Sequence, residues 1–250
     1  MDSKGILRIG TSGMVLPGPK KSFHLPYQSG SRLHYYSALF NTLEVNSTFY
    51  KLPLKTTLEK WAADVPDDFR FTVKLWKEIT HRKKLSFESE HIHTFMEIAA
   101  GIGQKKGCLL VQFPASIKAD SFGSVKNILT QVIEQNTTPA WQLCVEFRDM
   151  SWYDNVAVKS LLERLNIGIV QHDMPKSTPP ALSTMGKVLY LRFHGPEGDY
   201  KGGYSEKFLQ HQAESIETSL AQGKDVYVYF NNTIGDALKN AQRLQKLTEA

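Results

Sequence analysis

Eight short β-rich segments separated by stretches of helical period predict a single (β/α)8 barrel of the TIM type, an α/β fold. Three observations carry that reading: the even spacing of the segments, the apolar stripes between them, and a parity that sorts charged residues onto one face of several strands. The segments are LRIG (7–10), LEVN (43–46), FTVK (71–74), CLLVQF (108–113), LCVEF (143–147), IGIVQH (167–172), VLYLRF (188–193) and VYVYFN (226–231). Each is short and apolar enough for a buried strand. With strand ends marked at Thr11, Asn46, Lys74, Gln112, Phe147, Asp173, His194 and Asn231, the seven steps average about 31 residues, the length of one βαβ unit.

The intervening stretches carry the helical signal. Leu58, Trp61, Ala62 and Val65 follow the i, i+3, i+4, i+7 pattern, as do Ile92, Phe95, Met96 and Ala99. Phe122, Val125, Leu129 and Val132 form a similar stripe, and Ile234, Leu238, Ala241, Leu244 and Leu247 form the last. Such faces pack against a parallel sheet. The link from strand six to strand seven differs: DMPKSTPPALSTMGKV (173–188) holds Pro175, Pro179 and Pro180, which leave no room for a regular helix. An irregular crossover is expected there. No linker or charge block divides the chain, so one domain over 1–250 is the simpler organisation. A doubly wound open sheet is the alternative, but its Gly-rich dinucleotide turn is missing: the first turn reads Gly10-Thr11-Ser12-Gly13.

Composition excludes several classes. With 250 residues, 41% hydrophobic, 22% charged, 17 Gly and 11 Pro, the chain is neither collagenous nor of low complexity. Two cysteines are too few for a disulfide framework and favour a reducing compartment. The opening MDSKGILRIGTSG lacks the apolar run that export needs, and no window reaches the length of a membrane helix, so a cytoplasmic protein with no membrane partner is expected. A net charge of +5 suits an anionic partner.

Side chains alternate across a strand, so one parity faces the helices and the other the barrel interior. Leu189, Leu191 and Phe193 must face the helices, which turns Tyr190, Arg192 and His194 inward. The same rule sends inward Tyr227, Tyr229 and Asn231; Glu44 and Asn46; Thr72 and Lys74; Cys144, Glu146 and Arg148; Arg8, Gly10 and Ser12; and Gln112. Strand six is ambiguous, either Val170 with His172 or Gln171 with Asp173 pointing in. The inward charges are thus Arg8, Lys74, Arg148 and Arg192 against Glu44 and Glu146, with Asp173 a possible third acid. Buried ions must pair, meet water or await a ligand. All but Arg8, read as structural, lie at the carboxyl ends of strands, where α/β-barrel active sites sit.

These residues define the candidate site. Glu146 and Arg148 read either as an intrabarrel ion pair or as a general acid or base with its anion clamp. Arg192 and His194 repeat that two-step pattern, and imidazole titrates near working pH. Lys74 reads as an anion-binding cation rather than a Schiff-base amine. The Gly-rich loop GPEGDYKGG (195–203) resembles a mobile lid, and Asn231-Asn232-Thr233 before the last helix could bind an anion or serve as caps. Glu44, Glu146, His172, Asp173 and His194 are metal-ligand types, but they come from different strands and no local spacing supports a divalent metal. No nucleotide or dinucleotide motif and no nucleophile elbow appears. The paired strands' Cys108 and Cys144 read as buried free thiols, and His91 and His93 as surface. The run HRKK (81–84), Lys105, Lys106, Trp76 and Trp152 suggest nucleic acid as an alternative partner, though a charge run is more often a solvated face.

The strings IGTSG (9–13), FNTLEVNSTFYKLP (40–53), FTVK (71–74) followed by Thr80-His81, VQFP (111–114), EFRDMSW (146–152), RFHG (192–195) and YFNNT (229–233) resemble the YecE-like family, also called domain of unknown function 72. The resemblance covers nearly the whole chain. It implies a TIM-type barrel of uncharacterised role, and Glu44, Asn46, Lys74, Gln112, Glu146, Arg148, Arg192, His194 and Asn231 all fall within its motifs. One departure stands out: the family usually continues the first motif with Trp and further aromatics, whereas Met14, Val15 and Leu16 follow here.

The expected function is acid/base catalysis on a small anionic substrate, a phosphate ester or carboxylate, at the C-terminal mouth. Glu146 and His194 would be catalytic. Lys74, Arg148, Arg192, Glu44, Asn46, Gln112, Asn231 and Asn232 would bind or orient substrate. The alternatives are a phosphodiester-binding protein or metal-assisted nuclease, and a non-catalytic interaction protein. Full pairing of Glu146 with both arginines beneath a packed mouth would favour the last.

Overall fold

The structure is a computed structural model that describes residues 4–138, 140–180 and 186–249. All eight expected strands form: β1 (Leu7–Thr11), β2 (Thr42–Val45), β3 (Arg70–Lys74), β4 (Lys106–Phe113), β5 (Gln142–Phe147), β6 (Gly168–His172), β7 (Val188–Phe193) and β8 (Asp225–Phe230). They pair in parallel in the order β1-β8-β7-β6-β5-β4-β3-β2. Only β1 and β2 lack a ladder, and there a single parallel bridge, Ser12 to Glu44, nearly closes the barrel.

The helices, in chain order, are α1 (Leu25–Gln28), α2 (Arg32–Leu39), α3 (Ser47–Tyr50), α4 (Lys55–Ala63), α5 (Lys77–Thr80), α6 (Ser89–Ala99), α7 (Phe122–Glu134), α8 (Val156–Arg164), α9 (Glu206–Ala221) and α10 (Ala237–Thr248). The single turns α1, α3 and α5 lie in the loops that leave β1, β2 and β3. The stripes behave as their period requires: Leu58, then Ile92, Phe95, Met96 and Ala99, then Val125, Leu129 and Val132 are all buried. The last stripe begins later than its pattern suggests. Ile234 is exposed and sits in a turn before α10, because Asp236 rather than Thr233 precedes the helix. Between β6 and β7, none of the described residues is helical, and residues 181–185 lie outside the described set. No helix among the described residues is long and apolar enough to cross a membrane.

Parity divides the core in two. Leu109, Val111, Val145, Phe147, Leu189, Phe193, Val228 and Phe230 pack outward against the helices. Cys108, Leu110, Cys144, Val170, Val188, Tyr190, Tyr227 and Tyr229 fill the barrel interior. Val170 is among them, so strand six turns Val170 and His172 inward. Arg8 stays at the amino-terminal end, its guanidinium donating to the Asp68 carbonyl at 2.8 Å.

Side chains replace the missing ladder at the seam. Asn41 Oδ1 accepts from the Ile9 amide at 3.1 Å, and its Nδ2 donates to the Leu7 carbonyl at 3.0 Å. The Tyr36 hydroxyl accepts from the Thr11 amide at 2.8 Å and donates to the Thr42 carbonyl at 3.2 Å. Gly10 permits this approach, since a Cβ there would lie 2.2 Å from the Thr42 carbonyl oxygen. Asn41→Ala is therefore expected to cost about 1–3 kcal/mol by leaving two backbone groups unpaired. It should also speed hydrogen exchange at the Ile9 amide; unchanged exchange there would show that the seam does not depend on this side chain.

Candidate functional site

The carboxyl-end layer of the barrel is a continuous polar network. In β7, Phe193 packs outward against Phe208 and Phe230, which turns Arg192 and His194 inward on either side of it. In the segment after β5, Asp149 Oδ1 accepts from the Ser151 amide at 3.0 Å, and the resulting turn stacks Trp152 on Phe147 with ring centres 4.5 Å apart. That stacking holds Phe147 outward and leaves Glu146 and Arg148 pointing in.

Arg192 is the hub. Its Nη2 and Nε donate to Glu44 Oε1 and Oε2 at 2.9 and 3.0 Å, and its Nη1 donates to Glu146 Oε2 at 3.2 Å. Arg148 Nε donates to Glu146 Oε1, and Tyr190 donates its hydroxyl proton to Glu44 Oε2. Burial alone would raise the Glu146 pKa, but the guanidiniums of Arg148 and Arg192 hold it well below the usual carboxylate range. The same contest, won by Arg192, lowers Glu44. Both acids are therefore carboxylates, fully buried and fully engaged.

The donors around His194 decide its protonation. Its Nε2 lies 3.0 Å from Arg148 Nη2 and 3.0 Å from Arg192 Nη1, both of which can only donate. Nε2 must then accept, and Nδ1–H donates to Asp173 Oδ1 at 3.2 Å. Burial, with the nearby guanidinium of Arg192, depresses the pKa against the opposing pull of Asp173. His172, its ring 6.0 Å away, is neutral in the other tautomer: Nδ1 accepts from the Met174 amide at 3.3 Å and Nε2–H donates to the Phe147 carbonyl at 3.1 Å. Burial pushes its pKa down to about 4.

Asp173 lies beyond β6 and reaches back as a staple. Its Oδ1 accepts from the His194 amide at 2.7 Å, and its Oδ2 accepts from the Tyr204 hydroxyl. Tyr204 in turn accepts from the Gly195 amide at 2.6 Å. The Gly-rich segment after β7 is tied down rather than open: Tyr200 N donates to the His194 carbonyl at 2.7 Å, and Gly202 O accepts from Asp236 N and from Asn232 Nδ2. Gly195 has φ +104°, and a Cβ there would lie 2.3 Å from the Lys201 carbonyl oxygen, so the reversal requires glycine.

Lys74 stands apart from this pairing. Among the described residues it makes no ion pair; its Nζ sits 4.0 Å above the ring of Phe49. Burial, then repulsion from Arg192, pulls its pKa down to about 8, opposed by Glu146. His81 meets the same Phe49 edge-on at 4.7 Å, its Nδ1 2.8 Å from the Thr80 hydroxyl. Burial and the charge of Lys74 lower the His81 pKa to about 4. Gln112 and Asn231, on β4 and just past β8, have no side-chain hydrogen bond among the described residues, and Asn46 Oδ1 is buried without one. Asn232 is the exception among the expected ligand residues: its amide is spent on Gly202 and Asn240, which fastens the β7 loop to α10 instead of facing the mouth.

The structure thus gathers Glu44, Glu146, Arg148, Arg192 and His194 into direct contact, with Lys74 beside them. Sequence reasoning missed Tyr190 as a partner of Glu44, although parity had turned it inward. It also missed Tyr204, Phe49 and His81, which lie in loops where parity gives no signal. No three His, Cys, Asp or Glu side chains among the described residues are grouped to hold a metal. Cys108 and Cys144 are buried free thiols.

A barrel of eight parallel strands with a charged cluster at their carboxyl ends defines a TIM-barrel-like protein. The family described as "Protein of unknown function DUF72" matches residues 8–250, and the chain belongs to it. The UPF0759 protein YunF of Bacillus subtilis is 25% identical over 88% of this chain and 88% of its own length. A DUF72 family protein from Thermotoga maritima superposes with a TM-score of 0.77 at 27% identity, covering 98% of this chain and all of that one. Another from Enterococcus faecalis reaches 0.80 at 22% identity over 98% and 96%.

Proposed function

We propose that this chain is an enzyme that holds a small anion, a phosphate ester or carboxylate, at the C-terminal mouth and moves a proton on it. The observation that carries the reading is Lys74: a buried cation without a carboxylate partner, beside Arg148, whose Nη1 has no bond among the described residues. An inner network built only for stability would leave no such surplus, because an unpaired buried cation is costly. In the cluster Arg192, Arg148 and Lys74 face two carboxylates, Glu44 and Glu146, while Asp173 is screened by the neutral His194 ring.

Lys74 and Arg148 hold the anion, and Gln112, Asn231 and Asn46 orient it. Arg148 is half-buried and bonds both Glu146 Oε1 and His194 Nε2. Drawn onto the anion, it releases one oxygen of Glu146 and one of the two donors on His194 Nε2. The released Glu146 oxygen then becomes available to accept or return a proton, while His194 Nε2 still accepts from Arg192 Nη1 and gains a proton only if that donor also turns away. Arg192 and Glu44 remain in place and fix the geometry.

Inorganic phosphate and simple carboxylates should raise the melting temperature of the wild type but not of Lys74→Ala. The stabilisation should fall as pH rises through about 8, where Lys74 loses its charge. Equal stabilisation of both proteins, or none, removes the reading.

A second reading, phosphodiester binding, draws on one observation. Lys20, Lys21, Lys51, Lys77, Arg82, Lys83 and Lys84 are exposed on the loops that leave β1, β2 and β3, on the same end as Lys74. It requires oligonucleotide binding that weakens steeply with salt.

A further inference from the structure

Two polar groups rest on the ring of Phe49. Lys74 Nζ lies 4.0 Å from its centre, and the His81 imidazole meets it edge-on at 4.7 Å. The phenyl ring is buried and held in place: the Thr48 hydroxyl before it donates to the Lys74 carbonyl at 2.8 Å and pins α3 to the end of β3. His81 is fixed from its own side, where its amide donates to the Lys77 carbonyl at 2.8 Å and closes α5. One phenyl ring thus keeps an ammonium and an imidazole within reach of a single small anion. The charges that act most on the His81 ring are those of Lys74, Arg148 and Glu146, not those of Arg82, Lys83 and Lys84, which follow it in the sequence. The imidazole accordingly faces the charged cluster at the mouth and not the exposed basic run.

Thr80 decides which nitrogen of His81 carries the proton. Its hydroxyl is fully buried, and its one hydrogen-bond partner among the described residues is His81 Nδ1, at 2.8 Å. A hydroxyl has one proton to give and can leave a lone pair unused, whereas a buried donor without an acceptor is costly. The hydroxyl therefore donates to Nδ1. Burial, with the charge of Lys74, keeps the ring neutral, so its single proton sits on Nε2. That N–H has no partner among the described residues. His81 can give a hydrogen bond there but, unlike Lys74, brings no charge.

We propose that His81 is a further ligand-binding residue, whose Nε2–H donates to an oxygen of the anion held by Lys74. The inference rests on the anion reading above and adds to it a neutral donor of fixed tautomer. Two donors on one wall, one charged and one neutral, suit an anion with at least two acceptor oxygens.

The test combines nitrogen NMR of the free protein with calorimetric titration by inorganic phosphate and acetate. The proteins titrated are wild type, Lys74→Ala, His81→Ala, His81→Gln, His81→Asn and Thr80→Val. In the wild type, His81 should carry its proton on Nε2. His81→Ala should bind the anion about tenfold more weakly or worse, the loss expected for one hydrogen bond to a charged group. A Gln amide nitrogen falls near the place of Nε2 and an Asn amide nitrogen near that of Nδ1. His81→Gln should therefore recover affinity to within about threefold of wild type, and His81→Asn should not. Thr80→Val removes the hydroxyl that fixes the tautomer and should weaken binding by about threefold or more. A proton on Nδ1 of His81 in the wild type overturns the inference. So does equal affinity of His81→Ala and wild type, or of His81→Gln and His81→Asn, as a ring that merely packs on Phe49 would give. With Lys74→Ala still weakened, those results leave the anion reading standing. Silence of the wild type toward both anions overturns the anion reading and the inference with it.

Discussion

Arg192→Ala is expected to be the most damaging single substitution in the barrel, costing about 3–5 kcal/mol because it leaves Glu44 buried without its cation and strips Glu146 of one of two. For a chain of this size that is roughly 10 °C or more in melting temperature. The sign of its pH dependence distinguishes this cause from lost packing. Without Arg192, burial raises the Glu44 pKa instead of lowering it, so the variant is penalised above the ordinary carboxylate value of 4.5 and relieved as the pH falls toward it. The deficit relative to wild type should therefore shrink on acidification. Glu44→Gln combined with Arg192→Met removes both charges and should be more stable than Arg192→Ala. A double variant that merely adds the two losses would show that charge compensation is not what Arg192 supplies. Because Arg192 carries this load, it is a poor probe of ligand binding, and Lys74→Ala, at a site with no ion pair to break, reports more cleanly.

The barrel and most of its charged layer were legible from alternation alone, because a strand buried on its outer face leaves only one place for Glu44, Glu146, Arg192 and His194 to point. What alternation cannot show is how inward charges share partners. That Arg192 spans two carboxylates from β2 and β5 depends on distances across the barrel, which no local pattern encodes. The closure was also hidden. Asn41 and Tyr36 look like ordinary end-of-helix residues in the sequence, yet their side chains replace a strand ladder. Asn232 read as an anion ligand or cap because it precedes a helix, but four further residues intervene before α10, and its amide instead locks the β7 loop. His81 was absorbed into a basic run, although the turn at α5 rotates it away from Arg82, Lys83 and Lys84 and onto Phe49. The pairing of Glu146 with both arginines is what a purely structural barrel would show. Lys74 is the residue that such a barrel leaves without purpose.

Acidification should lower the stability of the protein over two pH ranges, both with the same sign. His172 has a folded pKa of about 4 against an ordinary 6.5, so between those values the unfolded chain takes up a proton that the folded chain refuses. Its stabilisation is complete above about 6.5 and is lost as the pH falls toward 4, a total of about 3 kcal/mol. From pH 7 to pH 5 the loss from His172 should be about 2 kcal/mol. His81 and His194 act in the same direction, His81 more weakly because it is partly exposed. Below about 4.5 the carboxylates of Glu44 and Glu146, both held down by guanidiniums, define the second range, their contribution vanishing as the pH passes through their lowered values. Melting temperatures of wild type and His172→Gln across pH 7 to 4 test this, with the variant expected to show the shallower slope above pH 5. Nitrogen NMR shifts supply an independent check, since His172 must carry its proton on Nε2 and His194 on Nδ1. A wild-type melting temperature that stays flat from pH 7 to 5 would mean that His172 is not held neutral by burial, and a proton on Nε2 of His194 would mean that the two arginines do not face that ring. The route by which Arg148 leaves His194 and frees an oxygen of Glu146 for a bound anion would then be lost with it.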